Sequence, residues 1–156
     1  MRSSKFFKLL QSLYLLLLGV GVGSIITCVL SASVVFKAGE ILDSNLIGIQ
    51  ESGVLMGLIF QKANYMFLIM AVMIVVFELL AMRVFRTSSM ISTLSSGISV
   101  LMILLFALYY TPFILNAPDT ASVEFQSMHF QSELAFKILL VSLCVLFVDR
   151  SFKLIK

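Results

Sequence analysis

Four long apolar stretches dominate this 156-residue chain and restrict what it can fold into. They cover residues 9–35, 63–82, 97–115 and 130–148. Each is long enough to cross the hydrocarbon core of a bilayer, which takes about 20 helical residues. Their apolar residues are continuous rather than alternating, which indicates helices and not the strands of a membrane barrel. The sequence therefore predicts an all-α membrane protein, a single domain over residues 1–156 built as a four-transmembrane-helix bundle.

The composition supports this class and excludes several others. Hydrophobic residues make up 60% of the chain and charged residues 12%, whereas a soluble domain has about 25% charged residues. A nucleic-acid-binding protein, a secreted disulfide scaffold and a disordered chain are therefore excluded. One histidine and two cysteines are too few for a structural zinc site or a bis-histidine haem. The nine methionines are typical filling of apolar helices rather than copper ligands. We expect no metal and no cofactor, and the lipid bilayer as the first partner.

The basic residues predict the orientation in the membrane. Three of the eleven bases, Lys37, Lys62 and Lys137, lie toward one end of the predicted spans. The other eight lie at the opposite end: Arg2, Lys5, Lys8, Arg83, Arg86, Arg150, Lys153 and Lys156. Because basic residues accumulate on the cytoplasmic side, the pattern predicts a bacterial inner-membrane protein with both termini cytoplasmic.

Two segments depart from the plain four-span pattern. Residues 38–62 mix apolar and charged side chains at roughly helical spacing, which is typical of an amphipathic helix lying on the membrane surface. We therefore expect such a helix on the outer face between spans one and two. A second span that already began at Gly53 would be about 45 Å long, too long without strong tilt. Pro112 predicts a kink near the outer end of span three.

Two short stretches carry a family resemblance. They are SGVLMGLIFQKANY at residues 52–65 and FQSMHFQS at residues 125–132. Together with the four-span plan, they resemble the bacterial membrane proteins grouped as domain of unknown function 4149, a family similar to transmembrane protein 205. The likeness extends over nearly the whole chain. It implies a four-helix integral membrane protein, and it supplies no activity and no catalytic residues.

Small residues recur every four positions in the first span, at Gly19, Gly23, Thr27 and Ser31. Such a stripe lets a neighbouring helix approach closely, which is how membrane helices associate. We interpret it as a helix-packing face, used either within the bundle or between two copies of the chain.

Polar residues share one face at the start of the fourth span: Gln126, His129, Glu133 and Lys137. Steps of three and four residues place them in one arc, and Glu133 four residues before Lys137 favours an ion pair. We expect that pair on a face turned toward the bundle or a wet cavity. Two interpretations stay open, a pair at headgroup level and an outward-facing polar pocket. Residues at comparable depth would line the same pocket: Thr27, Ser31, Asn64, Tyr109 and Tyr110.

Glu78 is an intramembrane charge one turn inside the end of span two. A carboxylate there needs a partner, and the sequence predicts Arg83, Arg86 or Lys8. A proton-carrying role is the alternative interpretation.

These features favour a non-catalytic protein, because the sequence contains no recognisable nucleophile–base pair, metal cage or phosphate loop. The first hypothesis is an accessory or assembly subunit that acts through helix packing with other membrane proteins or with itself. The second is a small transporter or solute-binding protein with a pocket near His129, Glu133 and Lys137. The third is an enzyme on lipid or quinone headgroups that uses Glu133 and His129 as acid and base.

Overall fold

A computed structural model describes residues 2–44 and 46–155, and their regular structure is helical. The elements are α1 (Arg2–Val35), α2 (Ala38–Ile41), α3 (Ile49–Arg83), α4 (Met90–Leu104), a π-helical segment (Leu105–Tyr110), α5 (Thr111–Asn116) and α6 (Val123–Ile155). Four helical stretches are long and apolar enough to cross a membrane: Lys5–Val35, Ile49–Arg83, Met90–Asn116 and Val123–Leu154. The predicted all-α fold with four spans is confirmed.

The four long stretches pack as a ring. α1 contacts α3 and α6, and α4 contacts the same two helices, so α3 and α6 lie diagonally across the bundle. The chain reverses direction at each connection, and Gln11 near the start of α1 contacts Arg150 near the end of α6. We call the end where α1 begins and α6 ends the terminal end, and the other end the loop end.

Each long helix turns one stripe of side chains into the bundle. In α1 the buried residues follow one another in steps of three and four: Gln11, Tyr14, Leu18, Gly21, Ile25 and Cys28. Toward the loop end, four phenylalanines fill the space between α3, the π segment and α6: Phe60, Phe67, Phe106 and Phe136. Between lipid-embedded helices this kind of side-chain packing supplies the attraction, because lipid tails are as apolar as the core.

The predicted surface helix over residues 38–62 is wrong as a separate element. α2 spans only Ala38–Ile41, and residues from Ile49 onward continue into the second span as one 35-residue helix. Its first turns are held by neighbouring helices, since Ser52 Oγ donates to the Val35 carbonyl at 2.9 Å. Gly57 leaves room for the Leu115 side chain. At 1.5 Å per residue α3 is about 52 Å long, well beyond about 30 Å of hydrocarbon.

The third span is irregular just before Pro112, where the sequence predicts a kink. The chain widens into a π-helical segment at Leu105–Tyr110, and Thr111 donates its N–H to the Phe106 carbonyl five residues back. The Thr111 hydroxyl donates to the same carbonyl at 2.8 Å. The Asn64 side-chain amide of α3 donates to that hydroxyl at 3.0 Å, so a neighbouring helix fixes the irregular turn.

Candidate functional site

A buried ion pair near the terminal end joins the two diagonal helices. The guanidinium of Arg150 in α6 donates from Nε to Glu78 Oε1 at 2.9 Å and from Nη2 to Glu78 Oε2. The Arg150 side chain is 0% exposed and that of Glu78 9% exposed. This two-pronged geometry is the strongest form of a carboxylate–guanidinium contact. Glu78 is therefore held on both oxygens inside the bundle.

The predicted partners of Glu78 are wrong. Arg83 and Lys8 have exposed side chains, and Arg86 lies beyond the end of α3 at a residue with a φ of 50°. The partner of Glu78 is Arg150 instead. Arg150 points into the bundle because it continues the inward stripe of α6, four residues after the buried Leu146. That stripe, with steps of three and four, is the sequence signal that identifies Arg150 as a core residue.

Three further hydrogen bonds complete the cluster around the pair. Tyr14 Oη of α1 donates to Glu78 Oε1 at 3.2 Å. Gln11 Nε2 donates to the Arg150 carbonyl at 2.7 Å, and Arg150 Nη1 donates to the Thr87 carbonyl at 3.2 Å. The cluster therefore connects α1, α3, the segment after α3, and α6. Sequence reasoning missed Gln11, Tyr14 and Thr87 because nothing local marks them.

An aromatic side chain covers the cluster on one side. The Phe77 ring stacks on the Tyr14 ring with centroids 3.8 Å apart. The Arg150 guanidinium carbon lies 5.3 Å from the Phe77 centroid. A guanidinium over a ring face is an attractive contact that strengthens when water is excluded. Phe77 thus shields the ion pair and contributes to its stability.

A second polar junction at the same end ties α4 to α6. Lys153 Nζ donates to Asp149 Oδ2 at 2.6 Å and to Ser89 Oγ at 2.7 Å. Ser89 caps α4 by accepting the Ser92 N–H at 3.1 Å, and its hydroxyl donates to Asp149. The first turn of α4 is therefore fixed against the last turns of α6. Together the two junctions join α1, α3, α4 and α6 at the terminal end through polar groups directed at one another.

The polar face of α6 forms the predicted ion pair, but it points away from the bundle. Lys137 Nζ lies 3.2 Å from Glu133 Oε2, and His129 Nε2 lies 3.4 Å from Glu133 Oε1. The Lys137 side chain is 71% exposed and that of Glu133 49% exposed. The expectation that this face turns toward the bundle is wrong. We call His129, Glu133 and Lys137, with Gln126 one turn before them, the charged ladder.

The remaining candidate pocket residues are dispersed. Asn64 is buried against Thr111, and Tyr110 Oη donates to Gln131 Oε1 at 3.3 Å on the α4 side of α6. Tyr109 is exposed, and Gln126 Nε2 donates to the nearby Ala121 carbonyl at 3.3 Å.

On α1, Thr27 is exposed and Ser31 half-buried. Lys137 borders a shallow open groove between α4 and α6 whose lining is mainly apolar. One copy of the chain therefore does not gather the nine predicted residues into one pocket.

The small-residue stripe of α1 also points outward. Gly23 and Thr27 are exposed, and a Cβ added at Gly23 meets no described atom within 4 Å. Gly21 instead faces the interior, because a Cβ there would clash with Met70 Sδ. A Cβ at Gly19, in contrast, would lie 3.9 Å from Phe147 Cε2 of α6, and Ser31 is half-buried. Packing within the bundle is therefore wrong for Gly23 and Thr27, while packing between two copies stays a prediction.

Comparison with known proteins places the chain in a family. The family model described as Domain of unknown function (DUF4149) matches residues 16–122, from α1 to the connection before α6. The match includes the 52–65 stretch and Glu78, and it ends before the 125–132 stretch and Arg150. No curated protein and no solved structure matches the chain, so its similarity to transmembrane protein 205 stays a prediction. With more than half of its length matched by that model, the chain belongs to the DUF4149 family.

Proposed function

We propose that this chain is a non-catalytic membrane protein that works as an accessory or assembly subunit through lateral packing of its helices. The observation that carries the proposal is a contrast between two sets of charges. Glu78 and Arg150 are bonded to each other inside the bundle. Glu133 and Lys137, in contrast, lie on the outward face of a helix long enough to span the membrane.

The buried set has a structural use. Its donors and acceptors join four parts of the chain, and Phe77 covers it. A group held in this way fixes helix positions, which is what a subunit needs to present a constant lateral surface.

The outward set favours a lateral partner. Charged side chains on a spanning helix are costly against lipid tails and normally face protein, water or the interface. Lys137 lies 13 residues from Arg150, about 20 Å along α6, so its helix turn is well away from the terminal end. A partner helix on this face would supply the polar surroundings that the bundle itself does not provide.

The basic residues support the proposed location. Arg83, Arg86, Arg150 and Lys153 lie around the terminal end of the bundle. An excess of bases on one side marks the cytoplasmic side. We therefore place the chain in the bacterial inner membrane with its terminal end in the cytoplasm.

Photocrosslinking in native membranes tests the proposal. A benzophenone derivative of phenylalanine replaces Phe130, an exposed aromatic residue beside the charged ladder, in the full chain. The matched control replaces Tyr65, an exposed aromatic residue on the diagonal helix α3. We expect a discrete protein adduct from position 130 and none from position 65. No adduct at 130, or equal adducts from both positions, would contradict a lateral partner on α6.

A further inference from the structure

We propose that a second copy of the chain covers the side of the bundle formed by α1 and α6. In this arrangement α1 of each copy packs against α6 of the other, about a twofold axis normal to the membrane. The inference rests on the proposed function and names the partner that function requires. A twofold contact of this kind is closed, because each copy offers both halves of the interface.

The first observation is the length of the polar line on α6. His129, Glu133 and Lys137 are exposed along one side of the helix. Cys144 lies two turns beyond Lys137 on the same line, since seven residues return to the same helix face, and it is also exposed. Three polar side chains and, two turns further on, a cysteine are therefore exposed on one side of a spanning helix, away from its own bundle.

The second observation is the height of the Thr27 hydroxyl on α1. A Cβ at Gly19 would lie 3.9 Å from Phe147 Cε2, which places Gly19 beside Phe147 of α6. Antiparallel helices advance equally in opposite directions, about 1.5 Å per residue. Thr27 is therefore level with Leu139 and two residues from the level of Lys137. A twofold axis normal to the membrane keeps this height in both copies, so the Thr27 hydroxyl of one copy lies within about 3 Å in height of Lys137 of the other.

The third observation is the open surface of α1 at Gly19 and Gly23. Gly19 and Gly23 are exposed on α1, and the space beside Gly23 is free of described atoms to 4 Å. Small residues at a membrane-helix contact let the partner backbone approach closely and let short polar side chains bond across it. Thr27 Oγ1 donates to the Gly23 carbonyl at 2.9 Å, so its lone pairs are free to accept from an ammonium.

The charges favour a contact between α1 of one copy and α6 of the other over a contact between the two α6 helices. Pairing two α6 helices about a twofold axis would bring like charges of the ladder to the same height. α1 carries no charged residue between Lys8 and Lys37, and its polar groups at the height of the ladder are hydroxyls. The α1–α6 contact therefore gives Lys137 a hydrogen-bond acceptor and puts no like charge opposite Lys137 or Glu133. Thr27 of one copy meets the Glu133–Lys137 pair of the other.

Disulfide formation in native membranes tests the pairing. Cys144 lies three residues before Phe147, so the register above puts it level with Val22 and beside Gly23 of the other copy. The variant Gly23→Cys keeps the native Cys144, while Cys28 is buried. Mild oxidation should give a reducible species of twice the 17.3 kDa chain mass. The species should disappear when Cys144→Ser is added. The matched control is Val72→Cys, at an exposed site on α3, and it should give only the monomer.

Five outcomes would overturn the inference, four from crosslinking and one from the Phe130 adduct. A crosslink that survives Cys144→Ser would show that the α1 helices of the two copies contact each other. A crosslink in the unmodified chain would show that the two α6 helices contact each other. Equal crosslinking of Val72→Cys would show random collision. A monomer band alone in Gly23→Cys would show that the second copy is absent. If the Phe130 adduct instead contains a different protein, the proposed function stands and the second copy is rejected.

Light scattering of the solubilised protein gives a second measurement. The unmodified chain should have the protein mass of two copies, and Gly23→Leu that of one copy, because the larger side chain separates α1 from its partner. A single-copy mass for both in a mild detergent would contradict the proposal.

Discussion

Glu78 and Arg150 are 72 residues apart in the chain and meet inside the bundle, between two helices that lie diagonally across it. Removing one partner leaves the other charged, buried and unpaired, which costs about 3–5 kcal/mol. We expect Arg150→Met to lower the free energy of unfolding by about that amount. The double variant Glu78→Leu with Arg150→Met should be milder. Unfolding in detergent compares the unmodified chain, Glu78→Leu, Arg150→Met and the double variant. A double variant as unstable as the sum of the two single ones would refute the coupling.

Tyr14 contributes a hydrogen bond that can be removed without its ring. In Tyr14→Phe the stacking on Phe77 remains while the hydroxyl contact to Glu78 is lost. A hydrogen bond to a charged group contributes about 1.5–3 kcal/mol, and we expect a loss in that range. Tyr109→Phe, at an exposed tyrosine, is the matched control and should stay within about 0.5 kcal/mol of the unmodified chain. Equal effects at both positions would mean that the Tyr14 hydroxyl is not coupled to Glu78.

The Thr111 hydroxyl connects α3 to the π-helical segment. Thr111→Val has the same shape but deprives the buried Asn64 amide of its acceptor, which costs about 1–3 kcal/mol. Thr111→Ser keeps the hydroxyl and should lose less. Adding Asn64→Leu to Thr111→Val should recover part of the stability, because both polar partners are then gone. Chemical unfolding in detergent distinguishes these variants, and a neutral Thr111→Val would contradict the assignment.

Two glycines two residues apart should respond differently to the same substitution. Gly21→Leu places a branched side chain against Met70 and Leu143, and overpacking of this kind costs about 1–3 kcal/mol. Gly23→Leu extends into open space on the outside of one copy, so the melting temperature of the single-copy form should not change. Melting in a detergent that separates copies checks this, and a larger loss at Gly23 would reverse the assignment of inner and outer faces.

The orientation in the membrane can be measured directly. Reporter domains fused to either terminus should be active in the cytoplasm, and one inserted at Asp119 should be active on the other side, because the bases lie around the terminal end. A periplasmic signal from either terminus would show that the whole chain is inverted.

Features that depend on one stretch of sequence could be predicted, whereas contacts between two separate helices could not. A run of about 20 apolar residues specifies a span on its own, and Glu133 with Lys137 is a contact within one helix. Arg150 is one of the eight bases that the sequence places at one end of the spans, and its inward position depends on which side of α6 meets α1 and α4. The predicted partners of Glu78 are wrong for the same reason, because the choice among Arg83, Arg86, Lys8 and Arg150 depends on which helix faces meet in the bundle.

The beginning of α3 shows a second limit of pattern reasoning. The mixed residues from Ile49 to Lys62 fit either a helix on the membrane surface or a continuation of the span. The outcome depends on neighbours that hydropathy does not include, namely the Val35 carbonyl that accepts from Ser52 and the Leu115 side chain over Gly57. Length alone was a poor guide, because a helix can be longer than the hydrocarbon layer.

The 72-residue separation of the ion pair also sets an order of events during synthesis. At about 5–20 residues per second, Arg150 leaves the ribosome roughly 4–14 s after Glu78. Tyr14 already exists when Glu78 is made, so the first helix can cover the carboxylate before its cation arrives. A nascent chain that stops before α6 therefore retains an uncompensated acid within its second span. The last helix to be made is thus the one that neutralises the charge carried by the second.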